Sequence, residues 1–206
     1  MDHDDEPLRQ RLRAEPARFG EFVAAERDRL RRMVALRLDP RLRGRLDASD
    51  VVQDACAEAV ARLPEWLDGD DMPLHLWLRF LTGQKLLQLH RHHLGTEMRA
   101  AQREVPLFGG APDASGVSVA SAIADGGAPS PAAVAMDAET VRKLGAALES
   151  MKREDREVLV MRHFEHLSNG DVARLLGLTS GGASLRYLRA AERLRAILDE
   201  ISGTRP

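Results

Sequence analysis

Gly177 separates two stretches of helical periodicity that leave almost no room for a loop, and this spacing restricts the chain more than any other feature. The stretch from Leu167 to Leu198 reads LSNGDVARLLGLTSGGASLRYLRAAERLRAIL. Ser168 can cap a helix, and Asp171 three residues on can return the bond as a capping-box acid, which starts a short helix carrying Val172, Ala173, Leu175 and Leu176. Gly177 stops that helix, because a residue that accepts positive φ closes a helix at little cost. Thr179 caps the next helix at once, so the turn is short enough to cross the two helices steeply. The second helix runs from about Ser180 to about Ile201. The pattern is that of a helix-turn-helix; its plain alternative is a helical hairpin with a solvated basic face.

On the second helix Ala183, Tyr187, Ala190, Leu194, Ile197 and Ile201 recur at three and four residues and form one narrow apolar stripe. Arg186, Arg189 and Arg193 share a neighbouring stripe. Cations flanking a buried seam can lie along phosphates while the helix N-terminus points into a major groove.

A chain of 206 residues that is 44% hydrophobic suits two small domains with packed cores. The formal net charge of -2 argues against a wholly basic nucleic-acid binder, so contact with DNA has to come from local patches. Such patches exist: bases gather from Arg79 to Arg103 and from Arg174 to Arg195, acids at the start and around Asp68, Asp70 and Asp71. The one cysteine, Cys56, stands among apolar helical positions and reads as a small buried hydrophobe. The acidic start is unlike a signal peptide, and no run is long enough to cross a bilayer, so membrane insertion is not expected and a cytoplasmic location is.

Helical spacing recurs from Phe19 to Leu38, from Asp47 to a stop at Pro64, and from Leu74 to His93, where apolar positions occupy most of the circumference and predict a central helix. Asp47, Ser49 or Asp50 can cap the second of these, and EWLDGDDM reads as a loop. Residues 105–135 are rich in Gly, Ala, Ser and Pro, without a period that buries a face, and predict a flexible linker. Asp137 to Met151 and Glu154 to Phe164 are again helical in pattern, and no strand alternation or internal repeat occurs. The expected fold is all-α: an acidic segment (1–15), a helical domain (16–104), the linker (105–135) and a helix-turn-helix domain (136–206).

DASDVVQDA, WLRFLTGQKLLQLHRHH, the spacer, REDREVLVMRHFEHLSNGDVARLLGLT and RYLRAAERLR follow one another in the order found in sigma-70 family initiation factors. The chain resembles their compact extracytoplasmic-function group, and its AS-x-RY-x-RA ending is most similar to the planctomycete type. The resemblance implies that the first domain holds the clamp helices of the RNA polymerase largest subunit and melts and captures the minus-ten element. The second domain would meet the polymerase flap and read the minus-thirty-five element. Asp47, Asp50, Val51, Gln53 and Asp54, with Val52 beside them, match the polymerase-binding helix, whose alternative reading is a capped helix with a solvated acidic face. Trp77, Leu78, Leu81 and Arg91 match the promoter-melting helix, with Gln84, Lys85, Gln88, His92 and His93 at or beside its DNA-facing positions. Gln84 and Gln88 stand where the family more often has Asn and Asp, and Thr82 where it has Ala. A basic strip beside aromatic residues can hold a displaced strand, although apolar spacing explains Trp77 and Phe80 as core. For the minus-thirty-five element the resemblance points to Ser168, Ser180, Gly181, Gly182, Ser184, Arg186 and Arg189. The small residues that open this helix leave few side chains able to reach a base edge, so backbone amides and DNA shape would share the recognition. Promoter DNA and core polymerase are the implied partners, and an anti-sigma factor is a further one.

Enzyme chemistry has little to stand on. His90, His92 and His93 lack ligand spacing with Cys56, His163 and His166 bracket a turn as surface or cap residues, and no phosphate loop, nucleophile elbow or paired-carboxylate motif occurs. No enzyme activity, cofactor or metal is expected. The competing reading is a free-standing helix-turn-helix regulator whose N-terminal bundle dimerises or senses a ligand, with a protein-binding helical adaptor behind it.

Overall fold

Helical periodicity becomes helix wherever the computed structural model describes the chain, namely residues 5–69, 72–94, 111–124 and 138–201, and no strand occurs among these residues. The fold is all-α, as expected. The chain divides into two units, Met1–Val34 with Arg41–Pro112, and Ala35–Pro40 with Asp113–Pro206.

The first unit contains α1 (Glu6–Ala14), most of α2 (Phe19–Arg37), α3 (Ala48–Ala61), α4 (Leu63–Asp68) and α5 (Leu74–Leu94). α5 is the central helix its composition predicts, with Leu76, Leu78, Leu81 and Leu86 almost wholly out of solvent. Truncating any of these to Ala would cost about 2–5 kcal/mol. Trp77 lies in an aromatic cluster, its ring centroid 6.5 Å from that of Phe19 and 6.2 Å from that of Trp66. The Thr82 hydroxyl, fully buried, donates to the Leu78 carbonyl at 2.8 Å, so its polar group stays satisfied. Gly83 is required where it stands, because a Cβ there would come within 2.6 Å of the Ala111 Cβ and 2.8 Å of its Cα.

The segment expected as the loop EWLDGDDM is instead partly helical, as α4. Pro64 does not simply end α3; it sits in the first turn of the next helix, where its missing N–H is not needed. Trp66 holds that helix down, buried and donating from Nε1 to the Met72 carbonyl at 2.9 Å.

The second unit contains α6 (Gly116–Ala122), α7 (Ala138–Ser150), α8 (Arg153–His163), α9 (Asn169–Leu176) and α10 (Ser180–Ile201). Leu144, Leu148, Val158, Val160, Met161, Val172 and Ala183 form its core. Arg37, from the part of α2 that counts with this unit, is buried with its guanidinium 2.5 Å from both Glu157 and Glu165. Burial disfavours its charge, but the two carboxylates outweigh that and hold its pKa above the ordinary range. Removing Arg37 would strand two buried acids, which typically costs about 3–5 kcal/mol.

α6 corrects the expectation of a structureless linker for residues 111–124; residues 105–110 and 125–135 lie outside the described ones. The correction follows from small residues, since a Cβ on Gly116 would lie 2.6 Å from the Gly145 carbonyl oxygen and 2.8 Å from the Glu149 amide. Glycine lets α6 cross α7 at backbone contact, which buries Val119, Ala120 and Ile123 without any long apolar period. Acids then anchor the incoming backbone: the Ala114 amide donates to Glu157 at 2.5 Å and the Gly116 amide to Glu149 at 2.6 Å.

Candidate nucleic-acid interface

The helix-turn-helix is built by short-range bonds. The Ser168 Oγ accepts from the Asp171 amide at 3.1 Å, and the Asp171 carboxylate accepts from the Ser168 amide at 3.0 Å and from its hydroxyl at 2.6 Å. Gly177 adopts φ 62° and the Leu178 amide returns to the Ala173 carbonyl at 2.8 Å, which closes α9. The Thr179 Oγ1 accepts from the Gly182 amide at 3.1 Å and starts α10. Asn169, which the sequence did not single out, ties the two helices together: its Nδ2 donates to the Ser180 carbonyl at 2.9 Å and to its Oγ at 2.8 Å.

α10 packs on the expected seam, with Ala183 and Ala190 buried and Tyr187, Leu194, Ile197 and Ile201 half-buried. His163 is not a surface or cap residue. Its Nε2 lies 3.1 Å from the Tyr187 hydroxyl, and burial first, then the charges of Arg162 and His166, push its pKa below the ordinary value. Away from the seam, Ser180, Gly181, Ser184 and Arg189 are exposed, and Gly182 and Arg186 partly so. Beside them Lys152, Arg186, Arg189 and Arg193 line a cleft of about 400 Å³ with Leu185 and Asp155. The Asp155 carboxylate faces two of these cations, 3.9 Å from Arg186 and 3.9 Å from Arg193. The expected arginine stripe is thus assembled, with an acid at its centre. Ser168 is exposed beside the turn, but its hydroxyl is committed to the capping box.

In the first unit, α3 turns Asp50, Gln53 and Asp54 to solvent. Val51 does not join them. It is 2% exposed, because with Val52, Ala55 and Ala59 it occupies the inward face, so its expected contact with a partner is corrected to a core role. Asp47 is the cap of α3: its Oδ1 accepts from the Ser49 amide at 2.6 Å, and that bond holds its carboxyl below the usual range.

Gln84, Gln88, Arg91 and His92 recur at helical spacing on the exposed side of α5, with His93 also exposed and its ring 4.9 Å from that of His92. Lys85 leans instead toward α3, where its Nζ lies 3.1 Å from Asp54. The sequence assigned these two to different partners, whereas the packing of α3 on α5 makes them an ion pair. Burial in the aromatic cluster takes Trp77 off the surface where a base could stack. His90 is buried, apart from the exposed His92 and His93. Burial raises the Cys56 thiol pKa, unlike that of a reactive thiolate. Among the described residues no cluster of His, Cys, Asp or Glu is placed to hold a metal ion.

Fold and site together define an all-helical protein with a helix-turn-helix unit and a second unit bearing separate acidic-polar and basic faces. Residues 142–194, which hold the helix-turn-helix, match the family model described as Sigma-70, region 4. Over 159 residues, 77% of the chain, it is 29% identical to the ECF RNA polymerase sigma factor SigD of Mycobacterium tuberculosis and to that of Mycobacterium bovis. The chain spans 65% of the length of these relatives. Among solved structures it is similar in fold to CnrH in complex with the cytosolic domain of CnrY, at a TM-score of 0.50 and 20% identity over 95% of this chain and 97% of that one. The sigma factor RpoE in complex with the anti-sigma factor NepR from Bartonella quintana aligns at a TM-score of 0.48 and 23% identity over 88% and 96% of the two chains. Within the described residues no helix is long and apolar enough to cross a membrane.

Proposed function

We propose that this chain is a sigma factor of the extracytoplasmic-function group, which binds core RNA polymerase in the cytoplasm and directs initiation at particular promoters. The observation that carries the reading is the match of residues 142–194 to sigma-70 region 4 on the residues that build the capped turn and α10. In this reading residues 16–104 bind the polymerase clamp through the outward side of α3 and capture the melted minus-ten strand along Gln84, Gln88, Arg91, His92 and His93. Residues 136–206 read the minus-thirty-five element and meet the flap. The AS-x-RY-x-RA pattern from Ala183 to Ala190 supports a place near planctomycete-type factors. The similar CnrH was solved bound to another protein, which supports a protein partner here, an anti-sigma factor. A free-standing regulator is the less favoured reading, because the relatives found are sigma factors.

Run-off transcription with purified core polymerase and a genomic promoter library tests the proposal: discrete, promoter-dependent transcripts are expected, and their absence, with tight duplex binding by the free chain, would favour the regulator. The clamp contact has its own test. Asp50→Arg combined with Gln53→Ala alters two exposed side chains on one face of α3 and should weaken capture of core polymerase while the fold survives, at a cost of about 1 kcal/mol for placing a cation in the first turn of that helix. A folded double variant that binds core polymerase as well as the parent removes α3 from the contact.

A further inference from the structure

Leu185 and Leu188 are large apolar side chains left in water on α10, 48% and 56% exposed. They stand about half a turn round the helix from the buried Ala183 and Ala190, so they occupy the middle of the outward face. A single exposed leucine needs no explanation, but these two lie three residues apart and adjoin each other along that face. Ser184 borders them on one side and Arg186, Arg189 and Arg193 on the other, and the exposed Glu192 ends the strip one turn beyond Leu188. The neighbours name the occupant. Three guanidinium groups along one edge outnumber the single Asp155 carboxylate among them, and that local excess of positive charge fits a polyanion. The helix that bears the strip opens on Ser180, Gly181 and Gly182, which lets its backbone come close to whatever it enters. Leu185 lies about 7.5 Å along the axis from Ser180, within the first turns that reach the floor of a major groove. On that floor the C5-methyl of thymine is the one apolar group a base edge presents.

We propose that Leu185 reads the C5-methyl group of a thymine in the upstream promoter element, with Leu188 extending the apolar strip by one turn. The inference rests on the promoter-binding reading above and deepens it. It supplies sequence choice where the hydroxyls of Ser180 and Ser184 are small, and it leaves the arginines to phosphate.

The test uses holoenzyme, full-length chain with core polymerase, and a duplex library randomised over the upstream region. The library is synthesised once with thymine and once with uracil, which differs only by lacking the methyl. Sites selected from the thymine library should share a thymine at one position, bound about fourfold more tightly than uracil there, the factor one buried methyl group gives. Leu185→Ala, a change to a better helix former at an exposed site, should erase that preference while thermal stability and the salt dependence stay those of the parent. Uracil selected at that position as strongly as thymine is, or a thymine preference that survives Leu185→Ala, overturns the inference and leaves promoter binding standing; so does a selected element without thymine. If no upstream sequence is enriched from either library, the promoter-binding reading of α10 falls, and this inference with it.

Discussion

At the residue scale, Gly177 shows how directly a local rule can be read from sequence. Its position predicts a helix stop, because only glycine takes a left-handed conformation freely, and it stands at φ 62°. A Cβ there would meet nothing within 4 Å, so Gly177→Ala should cost only the backbone term, about 1–2 kcal/mol in urea unfolding, and Gly177→Asn less. A neutral Gly177→Ala would mean that the turn relaxes out of the left-handed region. Ser168 and Asp171 were equally legible, since both ends of their bonds lie within four residues. His163 was not, because its partner Tyr187 lies on another helix and no spacing announces such a pair. Its depressed pKa fixes the sign of a pH effect. The unfolded chain takes up the proton first, so this stability is complete above the unfolded value of 6.5 and is lost as pH falls through the lower folded value. Thermal melts should therefore show a drop between neutral and mildly acidic pH that shrinks in His163→Gln. Tyr187→Phe should remove about 1 kcal/mol at neutral pH, where the imidazole loses its partner. A pH profile identical in parent and His163→Gln would locate the titrating group elsewhere.

At the scale of elements, amphipathic helices declared themselves and small-residue helices did not. α2, α3, α5 and α10 carry the apolar spacing from which they were read, while α6 is made of Gly, Val, Ser and Ala and looks like spacer. What makes it an element is its neighbour: Gly145 on α7 lets the two backbones touch, and Glu149 and Glu157 take up amides that a linker would leave to water. Pairings of this kind are invisible to periodicity, as was the Arg37 pair with Glu157, separated by 120 positions. α4 escaped for another reason, since Pro64 can end one helix or begin the next and only the burial of Trp66 decides between them. Hydrogen exchange separates the linker expectation from the helix. The amides of Ala114, Gly116 and Val119, each bonded, should exchange far more slowly than an unstructured Gly- and Ser-rich segment, and Glu149→Gln should speed Gly116 more than Val119. Exchange at the intrinsic rate throughout 111–124 would restore the linker.

For the whole molecule, the balance of charge bears on how a chain with the proposed function would avoid the wrong DNA. With 30 basic and 32 acidic residues it has no overall attraction for a polyanion, so the proposed duplex binding would rest on a local patch such as the cleft beside α10. There Asp155, 15% exposed at its side chain, answers two of the four cations. A phosphate approaching Arg186 or Arg193 must displace or tolerate that carboxylate, which lowers non-specific affinity; under the proposed function the contacts with polymerase and the minus-ten strand would then hold the chain in place. Asp155→Asn keeps the size of the side chain and removes its charge. The variant should bind arbitrary duplex more tightly at low salt and lose that gain as salt rises, with the slope of log K against log salt steepened by about one to two units as one or two cations become free for phosphate. Its stability should fall by about 0.3–1 kcal/mol, because Asp155 also sits in the first turn of α8, where a negative charge is favourable. That separates the two roles, since a purely structural acid would change the melting temperature and leave the salt slope alone. Combining Asp155→Asn with Arg186→Ala completes the argument. If the acid acts by occupying the arginine, the gain from Asp155→Asn should shrink in the Arg186→Ala background, and fully additive effects would show that Asp155 and Arg186 do not act on each other.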